Sequence, residues 1–228
     1  MLLYGFYGLS CYLFIIRLTQ DKTKFLNKEA VNVGNNYWQS ENIRLRSFSE
    51  KDIEVRIEKM STPNSRQQFF WDHMTFPLSK TEIEKDSKEM LESPPKDDKK
   101  LLVVETLDGK YVGEILIWKT DRRNGVMSYG IFIEDEYKGK RFGTEALIIV
   151  LDYYFNELNY QKAAPVVYSF NIASQMFHEK FGFIREGELR NELYARGEYH
   201  NVICYGMLRD EFNKKHKHDF IVDSEIEK

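Results

Sequence analysis

Tyr137-Lys138-Gly139-Lys140-Arg141-Phe142-Gly143-Thr144-Glu145-Ala146 joins an alternating apolar stretch, Val126 to Ile133, to a long apolar run, Thr144 to Leu158. Read as strand, turn and helix, it has the composition of a phosphate-binding turn. Glycine admits positive φ and lets a ligand approach the backbone. The first N–H groups of the helix lack partners and sit at the positive end of its dipole. Lys138, Lys140 and Arg141 add full charges. A pyrophosphate suits such a turn. A solvated strand-to-helix connection has the same composition, so the turn alone does not separate the two readings.

A second segment, thirty-odd residues on, narrows the choice: Ser169-Phe170-Asn171-Ile172-Ala173-Ser174-Gln175-Met176-Phe177-His178-Glu179-Lys180-Phe181-Gly182-Phe183. It follows an apolar strand, Ala163 to Tyr168. Asn171 stands where an N-cap belongs and Gly182 where a C′ glycine ends a helix. Together the two segments resemble the GCN5-related N-acetyltransferase (GNAT) superfamily. Its pyrophosphate turn reads Gln/Arg-x-x-Gly-x-Gly, and its later helix reads Asn-x-x-Ala-x-x-Leu-Tyr-x-x-x-Gly-Phe. Lys138 and Gly143 fall on the first and last positions of the turn. Asn171, Gly182 and Phe183 match the helix pattern, with Ser174 near its alanine. The likeness spans about Asn42 to Phe212. Three positions depart from it: Arg141 replaces the middle glycine, Lys138 the Gln or Arg, and His178 the tyrosine.

The resemblance implies an α+β GNAT fold, a mixed, mostly antiparallel sheet with helices on both faces. It implies acetyl-CoA as acetyl donor. The pantetheine arm is expected to run beside Ile131-Phe132-Ile133 like an added strand, whose N–H groups stabilise the oxyanion. The pyrophosphate is expected at Lys138, Gly139, Lys140, Arg141, Phe142, Gly143 and Thr144. Asn171, Ser174 and Phe177 complete the cofactor contacts. Asn171 is at once a helix cap and a candidate pantetheine ligand. Lys180 is either a phosphate contact or a solvated residue.

His178 takes the place of the tyrosine that protonates the coenzyme A thiolate. An imidazole also delivers protons; the competing role is packing against the cofactor. For the base, Glu114 is the leading carboxylate. Tyr111 to Trp118 alternates, with Tyr111, Gly113, Ile115 and Ile117 on one face and Val112, Glu114, Leu116 and Trp118 on the other. Amid that apolar face an unpaired carboxylate has a raised pKa. The alternative is a cross-strand pair with a Lys or Arg. Glu134 and Ser169 are weaker candidates.

Bulk properties fit one globular unit. The chain has 228 residues, 42% hydrophobic and 30% charged, with a net charge of −3. That charge offers no field for non-specific nucleic-acid binding. Cys11 and Cys204 have no metal-ligand spacing and form no disulfide framework. The five histidines show no metal pattern either, and His216 and His218 read as solvated members of a basic tail. A cytoplasmic location is expected.

Three regions follow: an apolar arm and linker over 1–40, the acetyltransferase domain over 41–213, and a charged tail over 214–228. Residues 2–16 carry no charge. They are shorter than the ~20 residues that span a bilayer. An oligomer-forming arm, giving a homodimer, a membrane-surface anchor and an over-extended reading frame are all compatible with this composition. Within the domain, Ile43 to Phe48 reads as a strand, followed by a helix capped at Ser49 and ended by Pro63. Further helices are expected over Arg66 to Met74 and Ser79 to Glu92, the latter with a Ser79-x-x-Glu82 capping box. Pro94 to Asp98 reads as a loop. Asp108-Gly109 and Asn124-Gly125 read as hairpin turns separating Leu101–Thr106, Tyr111–Trp118 and Val126–Ile133. Phe183 to Leu193 and Val202 to Leu208 are the last strands.

The expected activity is acetyl transfer to a primary amine: a protein N-terminal α-amine, a polyamine or a small-molecule amine. The C-terminal part looks most like the Rim-type ribosomal-protein acetyltransferases and the related spermidine acetyltransferases. Glu50, Asp52, Glu54, Glu82 and Glu84 suit a cationic acceptor. The rival is a non-catalytic acyl-CoA-binding or sensing module, given the changes at Arg141 and His178.

Overall fold

Alternation builds the first half of the sheet. The computed structural model describes residues 36–61, 78–92, 98–195 and 197–216. Strands β1 (Ile43–Ser47), β2 (Lys100–Thr106), β3 (Tyr111–Asp121) and β4 (Val126–Ile133) pair antiparallel in that order. Gly109 and Gly125, at φ 85° and 63°, make the hairpin turns. The expected helix at Arg66–Met74, the arm over 1–35 and most of the Pro94–Asp98 loop lie outside the described residues.

Each face of this sheet carries helices. On one, α1 (Asp52–Ser61) and α2 (Lys80–Glu92) cover a small cluster of Phe48, Ile53, Leu101 and Val103. The α2 capping box forms in both directions: Ser79 Oγ accepts from the Glu82 N–H, and the Ser79 N–H donates to the Glu82 carboxylate. At α1 the cap is Asp52, which accepts from both the N–H and the hydroxyl of Ser49. On the other face α3 (Phe142–Asp152) is buried at every residue from Glu145 to Leu151. It packs on Ile43, Leu45, Val104, Ile115, Met127 and Tyr129 in the main core.

The expected helix to Leu158 does not stay α-helical. A π turn occupies Tyr153–Glu157. The Tyr154 hydroxyl donates to the Asp98 carbonyl and that of Tyr160 to the Asp98 carboxylate. The wider turn brings Tyr154 and Phe155 both into the core.

The expected strand Ala163–Tyr168 is also interrupted. Pro165 has no N–H to give a ladder, and the strand divides into β5 (Lys162–Ala163) and β6 (Val166–Tyr168). Both lie antiparallel to β8 (Glu198–Leu208), whose other edge carries β7 (Ile184–Ala195). Only β5 touches β4, in parallel, at Val126 and Met127. Past that point β4 and β6 diverge, and from Ser128 to Ile133 one edge of β4 has no strand beside it among the described residues. Helix α4 (Ile172–Phe181) follows β6.

Two expected boundaries move. Residues 37–40, expected in the linker, are docked on the fold: Tyr37 donates to Asp152, Trp38 packs 4.8 Å from Tyr153, and Ser40 donates to the buried Glu145 carboxylate. At the other end α5 (Arg209–His216) runs into the expected tail. His216, expected in solvent, is buried, and its Nε2 donates to the Phe181 carbonyl at 3.1 Å. Lys215 donates to the Lys180 carbonyl. Thus α5 satisfies carbonyls at the end of α4, which its own helix leaves unpaired. His218 lies outside the described residues.

Candidate active site

The turn between β4 and α3 presents a row of backbone donors. Gly139 and Arg141 both adopt left-handed conformations, at φ 78° and 67°. Arg141 is the N-cap of α3, without a side-chain cap. The Glu145 N–H bonds the Arg141 carbonyl, while those of Phe142, Gly143 and Thr144 have no acceptor among the described residues. A left-handed residue leading into a helix makes an anion-binding concavity. Arg141 therefore keeps the backbone shape of the glycine it replaces. The cationic side chains are not all directed at this row. Lys138 pairs with Asp135 at 2.5 Å, and Lys140 stands over the Tyr137 ring. Arg141 is exposed.

Gly143 marks where β4, α3 and α4 meet. A Cβ there would lie 3.2 Å from Ile133, 3.7 Å from Ile131 and 3.7 Å from Phe177. Ile131 and Ile133 thus face α3, and by alternation Phe132 faces the opposite side, toward α1. Asn171 caps α4 as expected, its side chain accepting from the Ser174 N–H at 3.1 Å. Gly182 ends the helix at φ 116°. Lys180 is exposed. The two quoted segments, remote in sequence, flank the divergence of β4 from β6.

His178 lies at the floor of that divergence. Its ring stacks between Tyr129 of β4, at 5.9 Å, and Tyr205 of β8, at 5.6 Å. It is 3% exposed. Nδ1 lies 2.7 Å from the Ser174 carbonyl, which can only accept, so Nδ1 holds the proton. Nε2 is buried without a partner among the described residues. Burial pulls the pKa down to about 4, against a smaller opposing effect of the Ser174 carbonyl. The ring is neutral near pH 7 and its proton is committed to the helix backbone. That state is unsuited to the proton delivery expected of it.

Glu114 lies on the other face. Its cross-strand neighbours are Val103 and Phe132, so the alternative of a Lys or Arg opposite it is not realised. The carboxylate is 1% exposed, and Oε2 has no hydrogen-bond partner among the described residues. Desolvation pushes its pKa up to about 7; Arg56 and the Tyr111 hydroxyl pull the other way, and Asp52 and Glu134 add to the rise. Tyr111 is not legible in the sequence as a neighbour of Glu114, because strict alternation sets it on the opposite face. A bulge in β3 changes that. Val104 pairs with Gly113 but Glu105 pairs with Tyr111, so Val112 is an extra residue and Tyr111 turns onto the Glu114 face.

The acids expected to attract a cation are largely engaged. Asp52 takes both terminal nitrogens of Arg46 at 2.7 Å. Although burial opposes it, these bonds and those from Ser49 hold the Asp52 pKa below its ordinary value. Glu82 caps α2, and Glu84 pairs with Lys88. Of the weaker base candidates, Glu134 pairs with Lys59 at 3.1 Å, and the Ser169 N–H donates to the Asn201 carbonyl. Glu50 and Glu54 are exposed.

A separate cavity of about 390 Å³, walled by Trp38, Leu45, Leu102, Ile117, Tyr153 and Leu158, lies near the opposite ends of the strands. Its walls at Leu45, Leu102 and Ile117 belong to the main core, on the face of the sheet opposite Glu114. No group of metal-ligating side chains occurs among the described residues, and no helix among them is long and apolar enough to cross a membrane.

Comparison with known proteins agrees with this geometry. Residues 42–184 match the Acetyltransferase (GNAT) domain. The chain is 38% identical over 180 residues to an uncharacterized, SPbeta prophage-derived N-acetyltransferase, YokL, of Bacillus subtilis (strain 168), covering 79% of this chain and 97% of that one. It is 30% identical over 110 residues to the spermidine N(1)-acetyltransferase of Escherichia coli (strain K12), covering 48% of this chain and 59% of the relative. Among solved structures, the spermidine N-acetyltransferase of Vibrio cholerae in complex with CoA and spermine superposes with a TM-score of 0.63 at 22% identity, over 75% of this chain and 97% of that one. The donor row of the β4–α3 turn, the divergence of β4 from β6 and the domain match over 42–184 converge: this chain belongs to the GNAT acetyltransferase family and is an N-acetyltransferase.

Proposed function

We propose that the protein transfers an acetyl group from acetyl-CoA to a primary amine by direct attack in a ternary complex. The observation that carries this reading is the edge of β4 from Ser128 to Ile133, beside which no strand lies among the described residues, and which leads to the N–H row of Phe142, Gly143 and Thr144. An extended pantetheine has amide groups to pair along such an edge, and its pyrophosphate suits the helix N-terminus. N–H groups of β4 near Phe132 serve the oxyanion.

Glu114 accepts a proton from the incoming ammonium, directly or through one water. The neutral nitrogen attacks the thioester carbon, and the carbonyl electrons move to oxygen. Collapse expels the thiolate of coenzyme A, and the second nitrogen proton passes to sulfur. His178 stays neutral and holds the Tyr129–Tyr205 stack that floors the site. The acceptor is a protein N-terminal α-amine, a polyamine or a small amine. A polyamine gains support from the spermidine acetyltransferases among the relatives.

Thiol release from acetyl-CoA with a panel of these amines tests the reading. Amine-dependent release is expected; tight acetyl-CoA binding with no release for any amine would favour a sensing module. With an acceptor in hand, Glu114→Gln is expected to lower kcat/KM on the order of 10²-fold. In the parent protein kcat/KM should climb with pH through about 7, where Glu114 loses its proton.

A further inference from the structure

The bulge at Val112 has a chemical consequence. It adds one residue to β3 opposite Val104 and Glu105, and so rotates Tyr111 onto the face where Glu114 and Phe132 lie. Bulges re-aim side chains beside functional sites. Here the redirected side chain is a phenol, and it meets a carboxylate enclosed by Val103, Phe132 and Leu116. The register sets the Tyr111 phenol and that carboxylate on one face of the sheet, close enough for each to shift the other's proton affinity. Oε2 of the carboxylate is buried with no hydrogen-bond partner among the described residues. We propose that Tyr111 is a positioning residue: by donating to one oxygen of Glu114 it fixes the carboxylate's rotamer and leaves Oε2 to meet the acceptor's proton. This rests on the reading of Glu114 as the base.

A carboxylate with both oxygens unpaired could rotate about its last torsion, which is broad and weakly restrained. One hydrogen bond removes that freedom and distinguishes the two oxygens. The phenol suits the task because it stays protonated. Burial raises its pKa well above the ordinary value, and the Glu114 charge raises it further. Tyr111 therefore donates at every pH where Glu114 titrates. The remaining charges around Glu114 are arranged in opposition. From α1, Arg56 favours the carboxylate and Asp52 disfavours it; beyond β4, Glu134, itself paired with Lys59, disfavours it. From β2 the facing residue is Val103, and α2 contributes Leu91 to this cluster.

The carboxyl can be followed without any acceptor. In pH-difference infrared spectra the protonated-acid C=O band that disappears in Glu114→Gln is that of Glu114. Tyr111→Phe keeps the ring and removes the donor. The midpoint of the band is expected to rise by about one pH unit, and the band itself to move to higher frequency as the hydrogen bond is lost. Glu134→Gln is the control of opposite sign, lowering the midpoint while leaving the frequency in place. With an active acceptor, the acid limb of kcat/KM in Tyr111→Phe should move up with the band. An unchanged band and midpoint in Tyr111→Phe would overturn the proposal and leave Glu114 as base. A Glu114→Gln enzyme that keeps the acid limb would overturn both, through the reading on which the proposal rests. Thermal unfolding of each variant shows that the fold is retained.

Discussion

Arg141 holds a backbone conformation that arginine rarely adopts. A side chain at φ 67° costs about 1 kcal/mol relative to glycine. Arg141→Gly is expected to raise stability in urea by roughly that amount. It should also weaken acetyl-CoA binding, because a guanidinium at the phosphate row is lost, and the weakening should shrink as salt rises. Calorimetry at two ionic strengths checks both signs. Gly143→Val is expected to weaken binding far more than Lys140→Ala. A Cβ at 143 already sits 3.2 Å from Ile133, whereas Lys140 is placed over Tyr137. These positions were legible in the sequence because glycine and charge spacing are local properties. The state of His178 was not. Its place in the helix could be read, but the burial and the Ser174 carbonyl that fix its tautomer come from the Tyr129–Tyr205 stack, which only the folded sheet assembles.

At the scale of elements, β3 and the lead-in to β1 are the informative pieces. Alternation found β3 but could not reveal its bulge, since an extra residue leaves the hydrophobic pattern nearly intact while shifting every side chain before it. Pro165 was visible, and its effect on the last strands follows from its missing N–H. Gly113 lies where β3 approaches β4 most closely: a Cβ would be 2.0 Å from the Phe132 carbonyl oxygen. Gly113→Ala is expected to lose about 2–3 kcal/mol in urea denaturation and to disturb the β4 edge used by the donor. The lead-in calls for a paired deletion. Removing residues 1–35 should leave the melting temperature and turnover largely unchanged. Removing 1–40 takes Trp38 from Tyr153 and Ser40 from the Glu145 carboxylate. A fall of roughly 5–10 °C is expected, checked by calorimetry.

Across the whole molecule, Glu114 and His178 oppose each other in pH. The Glu114 pKa is raised from 4.5 to about 7, so its contribution to stability is present below 4.5 and is lost as pH rises through 7. The His178 pKa is lowered from 6.5 to about 4, so its contribution is present above 6.5 and is lost as pH falls through 4. Each amounts to about 3 kcal/mol by linkage. Between pH 4.5 and 6.5 the two slopes offset. In that window Glu114→Gln should make stability rise with pH, and His178→Phe should make it fall. Parallel pH profiles in the two variants would contradict this. The sheet order, and with it the face on which each group is buried, was legible only through the family resemblance, because strand pairing between remote segments leaves no periodic trace.

The edge of β4 that stands apart from β6 also bears on how the protein registers its surroundings. If the acetyl donor lies along Ser128–Ile133, it contributes to the sheet as a strand would, and the sheet's cohesion then follows donor concentration. A donor at 100 times its Kd would add about 2.7 kcal/mol to the folded state. In deuterium exchange, slowing should be concentrated in the outward amides of this strand and in those of Phe142 to Thr144. The β7–β8 hairpin, built without any contribution from the donor, should exchange at the same rate throughout. In a cell, the supply of acetyl donor would then govern not only how fast this protein works but how long it lasts.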